Sequence, residues 1–216
     1  MNFAVVLLSA GASSRMGRPK LLLPWLGTTV LGHLLNLWRE LGAAQLAVVT
    51  APANGPMAVE LARAGDLERD CITNPEPERG MMSSIRCAAE WPGWKTDLSH
   101  FLLTLGDQPH VQTLTLRSLL DFAGAHPGRV CQPARGGRPR HPVLFPREVF
   151  VQLATTPAEN LKQYLLGIPD RRATFESDDA GLDFDLDEPA DYERALLLCG
   201  PPSPPACERA PSSHSS

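Results

Sequence analysis

Short apolar runs bounded by turn residues alternate along this chain with longer amphipathic stretches. The apolar runs predict strands at Phe3–Leu8, Leu46–Thr50, Cys71–Asn74, Phe101–Leu105, Arg129–Gln132 and Pro142–Phe145, with later ones near Arg172–Phe175 and Phe184–Leu186. Apolar residues recurring at helical spacing predict helices over Thr29–Leu41, Met57–Ala64, Met82–Ala89, Thr113–Ala125, Glu148–Leu153, Glu159–Leu166 and Ala190–Leu198. Strands that alternate with helices imply βαβ units, hence a three-layer α/β/α, Rossmann-like domain around a mainly parallel mixed sheet. Ligands of such sheets bind beyond the carboxyl ends of the strands. From Gly200 the sequence GPPSPPACERAPSSHSS has no periodic apolar face. The expected organisation is one domain over residues 1–199 and a disordered Pro/Ser-rich tail over 200–216.

Two predicted strands end in chemistry. The first runs into VLLSAGASSRMGRPK, Val6 to Lys20, a small-residue loop with two glycines and the cations Arg15 and Lys20. Backbone amides and basic side chains of such a loop converge on phosphates. It is not a Walker A loop, since Gly17 falls one residue late after Gly11 and no Lys-Ser or Lys-Thr follows; nor does a G-x-G open it. The second is followed by Gly106-Asp107-Gln108-Pro109, which projects an acidic side chain from the same sheet edge. Asp107 reads either as an oxygen ligand for a hard divalent cation or as a helix N-cap. Asp183, Asp185 and Asp187 alternate, which would put them on one face of an extended strand; Asp187 could instead cap the helix near Pro189. Asp191 and Glu193 read as a solvated helix face. Ser83 and Ser84, after Arg79-Gly80, are either pocket donors or helix caps. Arg135, Arg138, Arg140 and His141 crowd a glycine-rich loop that would suit a phosphorylated acceptor.

Composition narrows the class. The 216 residues are 43% hydrophobic, enough for one substantial core. A formal net charge of -4 argues against a general nucleic-acid surface but not against a free nucleotide, which needs only local positive charge. Five cysteines, an odd number without C-x-x-C, point to a reducing cytoplasm. No apolar run approaches the ~20 residues of a membrane span. Met1-Asn2-Phe3 reads as the start of a strand rather than a signal peptide.

Four blocks together resemble the MobA-like nucleotidyltransferases, in particular their molybdenum-cofactor cytidylyltransferase branch. They are Leu8-Ser9-Ala10-Gly11 through Ser13, Arg15, Met16, Gly17 and Lys20; Gly106-Asp107-Gln108-Pro109; His141-Pro142-Val143-Leu144-Phe145; and Asp185-Leu186-Asp187-Glu188-Pro189-Ala190-Asp191-Tyr192. All stand in the family's order. Ser9 replaces the family's first alanine, Arg140 a glycine and Glu188 a threonine.

The resemblance implies a GT-A-like nucleotidyltransferase that moves CMP from CTP to a phosphorylated acceptor, molybdopterin carrying molybdenum, with Mg²⁺ and with release of pyrophosphate. It implies nucleotide contacts from Ser9, Ala10, Gly11, Ser13, Arg15, Gly17, Lys20, Gly80 and Ser84. Asp107 would hold the metal with Asp185 or Asp187, and Arg140 and His141 would meet the acceptor. Arg15, Lys20 and Asp107 would carry the catalysis. His141 reads as a catalytic base or as a satisfied loop histidine. A molybdoenzyme or chaperone would be the protein partner. The same residues also allow a sugar-phosphate acceptor, or a non-catalytic nucleotide-binding regulator or chaperone.

Overall fold

The computed structural model of the chain describes residues 1–10, 19–52, 55–63 and 70–200. Its first half comprises β1 (Phe3–Leu8), a hairpin of β2 (Pro24–Trp25) and β3 (Thr28–Thr29), α1 (Val30–Glu40), β4 (Gln45–Thr50), α2 (Gly55–Arg63), β5 (Cys71–Thr73) and α3 (Met81–Glu90). The second half comprises β6 (His100–Leu105), α4 (Thr113–Ala125), β7 (Val130–Arg135), β8 (Arg138–Pro139), β9 (Val143–Pro146), α5 (Arg147–Phe150), α6 (Leu161–Leu166), β10 (Arg172–Glu176) and α7 (Pro189–Cys199).

The main sheet has the order β10-β7-β9-β6-β1-β4-β5, with β8 paired to β7. β1 lies centrally and parallel to both neighbours, Phe3–Leu8 opposite His100–Leu105 and Ala4–Leu8 opposite Gln45–Val49. β8 and β9 are antiparallel to their neighbours; the other pairings of the sheet are parallel. A strand covered on both faces must be apolar at consecutive positions, and β1 is buried throughout. Val5 and Leu7 join Val48 and Leu102 against α1, α2, α4 and α7, through Leu31, Leu35, Trp38, Leu61, Leu119 and Ala195. Ala4, Val6 and Leu8 turn the other way, with Val49 and Leu103, onto α3, α5 and α6 through Ile85, Phe150 and Leu161. Two cores on opposite faces of one mostly parallel sheet make the three-layer α/β/α architecture.

The predicted helices and seven of the predicted strands form, Phe3–Leu8 and Thr113–Ala125 with the expected ends and the others with shifted ones, as β7 does by continuing to Arg135. The eighth, Phe184–Leu186, is not a strand. Leu186 N–H donates to the Asp107 carbonyl at 2.9 Å, and the Phe184 carbonyl accepts from His110 Nε2 at 3.1 Å. Its backbone groups are satisfied by the loop after β6, so it joins no ladder. Among the described residues no helix is long and apolar enough to cross a membrane.

Candidate functional site

Parallel strands share a rim. The carboxyl ends of β1, β4, β5, β6 and β7 therefore present Ser9, Ala10, Asn74, Gly106, Asp107 and Arg135 on one edge of the sheet, and antiparallel β9 starts there beside His141. Gly106 permits a close crossing: a Cβ would meet Leu21 Cδ2 at 2.8 Å and the Leu8 carbonyl oxygen at 3.2 Å. Leu21 and Leu23 are buried and anchor a 3₁₀ turn over Lys20–Leu22, which fixes the Lys20 stem at the rim.

Lys20 Nζ lies 3.1 Å from Asp107 Oδ2 and 2.8 Å from Asp187 Oδ1. Burial lowers the Lys20 pKa, but hydrogen bonds and charges of Asp187 and Asp107 outweigh it, so the net shift is upward. Asp185 turns elsewhere, accepting from Gln108 Nε2 at 2.8 Å. Burial first, then the charge of Asp107, raises its carboxyl against that hydrogen bond. Asp183 goes a third way, bound by Arg135 Nη1 and by Arg140 Nε and Nη2 at 3.2 and 3.0 Å. The expected common face of the three aspartates is thus absent, because their segment is not extended in a ladder. Nor does Asp107 cap a helix, since α4 starts after Gln112. Asp191 is not merely solvated: it forms a capping box with Glu188 at the start of α7.

A cavity of about 300 Å³ opens beside Lys20 and Asp107, lined also by Ser9, Ala10, Gly80, Met81 and Ser84. The Ser9 hydroxyl donates to the Val49 carbonyl at 2.7 Å. Gly80 takes φ 83° and precedes α3, a conformation that favours glycine. No side chain caps α3, so neither Ser83 nor Ser84 acts as its N-cap. Both hydroxyls accept from the buried Asn74 Nδ2, at 2.8 and 2.9 Å. His141 Nδ1 is buried without a hydrogen-bond partner. Burial pushes the imidazole down to about 4 against a hydrogen bond with the Leu103 backbone and the charge of Asp107, so it is neutral at neutral pH.

Sequence reasoning missed Asn74, Gln108 and His110. The two last tie the return segment, residues 183–187, to the rim, Gln108 through Asp185 and His110 Nε2 at 3.1 Å from both the Gly181 and Phe184 carbonyls while its ring stacks on Phe184. Their only sequence signal was adjacency to Asp107. Gly11, Ser13, Arg15, Gly17 and tail residues 201–216 lie outside the described residues. Among those described, no group of three or more His, Cys, Asp or Glu side chains forms a ready metal cluster. The metal candidates are the carboxylate pair around Lys20.

A family model, the MobA-like NTP transferase domain, matches residues 5–172. Molybdenum cofactor cytidylyltransferase of Escherichia coli (strain K12) is 28% identical over 188 residues, 87% of this chain and 92% of that protein. The crystal structure of Rv0371c from Mycobacterium tuberculosis H37Rv superposes with a TM-score of 0.67 at 32% identity, covering 91% of this chain and 97% of that one. A complex of Rv0371c with manganese gives 0.65 at 28% identity, covering 91% and 99%. The likeness to a CMP:2-keto-3-deoxy-manno-octonic acid synthetase complexed with CTP, TM-score 0.71 at 17% identity over 92% and 98% of the chains, is one of fold.

Proposed function

The chain belongs to the MobA-like NTP transferase family and is a nucleotidyltransferase, and from that premise we propose that it transfers CMP from CTP to the terminal phosphate of molybdopterin carrying molybdenum. A phosphate oxygen of the acceptor attacks the α-phosphorus, the α–β phosphoanhydride bond breaks, and pyrophosphate leaves. The observation that carries this proposal is the meeting of Lys20 with Asp107 and Asp187, where Lys20 and Asp107 line one cavity with Ser9, Ala10, Gly80 and Ser84. The similarity to the E. coli cytidylyltransferase over most of both chains supports the choice of CTP and acceptor.

Each residue has a physical task. Lys20, with Arg15 and the amides around Gly11, Ser13 and Gly17, neutralises the triphosphate. Asp107 and Asp187 are the carboxylates for Mg²⁺, a hard-oxygen donor pair drawn from loops that the return segment brings together. They are preferred over an Asp107–Asp185 pair because both already face one cation, whereas Asp185 is engaged by Gln108. When bound, the metal supplies Lewis-acid charge at the phosphates. Gly80 and Ser84 line the base end of the cavity. Arg140, beside Arg135, receives the acceptor phosphate. A phosphate monoester has its second pKa near ~6, so the attacking oxygen is already ionised at neutral pH. The neutral His141 is therefore a wall of the acceptor side rather than its base.

The test is to incubate the protein with Mg²⁺, molybdopterin carrying molybdenum and each of the four ribonucleoside triphosphates in turn, then weigh the products. Pyrophosphate and a cytidine dinucleotide are expected with CTP. A guanine dinucleotide, or transfer to sugar phosphates but not to the pterin, would replace the substrate assignment; binding of CTP without turnover on any acceptor would favour a regulator.

A further inference from the structure

Asn74 stands just after β5, only 1% exposed, with its backbone N–H and both polar atoms of its side chain engaged. Its backbone N–H donates to the Thr50 carbonyl at 2.8 Å. Its side-chain oxygen accepts from the backbone N–H of Glu76 at 3.0 Å. A backbone N–H can only donate, so the oxygen must face Glu76 and the amide NH₂ must face α3. There it donates to Ser83 Oγ and Ser84 Oγ at 2.8 and 2.9 Å.

The protons of the two serines can then be followed. Ser83 directs its own to backbone carbonyls, Gly80 at 2.8 Å and Glu76 at 3.1 Å. The Gly80 carbonyl also receives Ser83 N–H at 3.1 Å, so both its lone pairs are taken. Ser84 is 4% exposed, accepts from Asn74, and donates to no described residue, yet it lines the cavity beside Lys20 and Asp107. Lys20 and Asp107 mark the charged end of that cavity. Ala10, Met57 and Met81 contribute apolar lining to the same cavity.

We infer that Asn74 is a positioning residue that fixes the polarity of Ser84, making it a hydrogen-bond donor toward the ring nitrogen of the bound base. This rests on the nucleotidyltransferase reading of the cavity and extends it to how the base is selected. A base whose pairing-edge ring nitrogen is an acceptor, cytosine or adenine, fits this donor. Uracil and guanine carry N–H at that position and would meet donor with donor. A buried polar group left unpaired weakens binding by roughly tenfold or more.

The experiment measures binding of all four ribonucleoside triphosphates, with Mg²⁺, to the full chain and to Asn74→Asp and Ser84→Ala. A carboxylate at position 74 still accepts from Glu76 N–H and stays ionised under three donated hydrogen bonds. It forces both serines to donate to it, so Ser84 turns a lone pair toward the base. The unaltered protein should prefer CTP over UTP and ATP over GTP by about tenfold. Asn74→Asp should invert the CTP/UTP ratio, and Ser84→Ala should bring it close to one. Urea unfolding of both variants separates these shifts from lost folding, since a purely structural role would weaken all four nucleotides together. Ratios unchanged in Ser84→Ala, or a wild-type preference for UTP and GTP, would overturn the inference. A wild-type preference for ATP over CTP with the ratios responding as stated would sink the CTP assignment and leave this one standing.

Discussion

Two ion clusters hang from one return segment, residues 183–187, and they carry opposite surpluses. Around Lys20 the described carboxylates outnumber the cation: Asp107 and Asp187 at 3.1 and 2.8 Å, with Asp185 half-buried nearby on Gln108. Around Asp183 the cations outnumber the carboxylate, since Arg135 and Arg140 both close on it. Apart from Lys20, the side chains of these ion pairs are between a quarter and a half exposed, and ion pairs in that regime add little stability. The fold does not need either ratio. What each ratio sets is the ligand a cluster can receive, oxygen-rich sites taking divalent cations and guanidinium-rich sites taking phosphates. Two such clusters on one rim suit a reaction that joins a metal-bound triphosphate to a phosphorylated acceptor.

The largest expected effect comes from breaking the carboxylate-rich cluster at its centre. Asp107→Asn keeps the shape but removes a negative oxygen, and Mg²⁺-dependent pyrophosphate release should fall by about 10³-fold. Circular dichroism and the urea midpoint should stay near those of the unaltered chain. Near-normal release would end the metal role proposed for Asp107. A graded comparison sharpens it. Asp187→Asn should cost about 10²-fold and Asp185→Asn less than about threefold, because only the former shares the Lys20 cation with Asp107. The reverse order would move the second carboxylate to Asp185.

The two clusters were unequally legible in the chain. Strand ends are visible in sequence because an apolar run stops at a turn residue, so Lys20 and Asp107 could both be assigned to one edge. The return segment was not legible. Phe184–Leu186 alternates like a strand, but alternation records where side chains point and not what the backbone bonds to. Here the partners are the Asp107 carbonyl and the His110 ring, contributed from more than seventy positions away. Once that pairing replaces a ladder, the three aspartates diverge, and the guanidinium-rich cluster appears around Asp183. The Glu188–Asp191 capping box had readable spacing, yet Asp191 with Glu193 reads as a solvated helix face. Asn74 had no periodic signal at all, as one buried amide leaves no pattern.

The cation-rich cluster yields a smaller and differently shaped effect. Arg140→Gly restores the residue expected from the family pattern and removes two of the hydrogen bonds on Asp183. The KM for the phosphorylated acceptor should rise about tenfold while that for CTP holds, since loss of a charge-assisted contact acts where the anion binds. Asp183→Asn should do the opposite, freeing both guanidiniums and lowering the acceptor KM a few-fold. Equal changes in both substrates would make this cluster a structural latch and dissolve the contrast between the two.

The smallest expected effect concerns stability and pH, and it separates four histidines shifted by desolvation from the carboxylates of the rim. Burial lowers His33, His100 and His110 below the ordinary 6.5, and His141 to about 4. Each folded pKa lies below its unfolded value, so between the two the unfolded chain binds more protons. Stability is then fully present above pH 6.5 and declines as the pH falls from 6.5 toward about 4. Asp185 works against this trend: its raised carboxyl gains a proton more readily in the folded state, which favours folding as the pH drops. His141, near 4 in the fold and 6.5 when unfolded, accounts alone for a loss of about 2 kcal/mol from pH 7 to pH 5; the other three histidines add to that loss and Asp185 offsets part of it. Urea midpoints at the two values would measure it, and His141→Gln should flatten the difference by removing the group with the deepest shift. If Asp185→Asn alters the slope more than His141→Gln does, the acid response belongs to the carboxylate cluster rather than to the desolvated histidines.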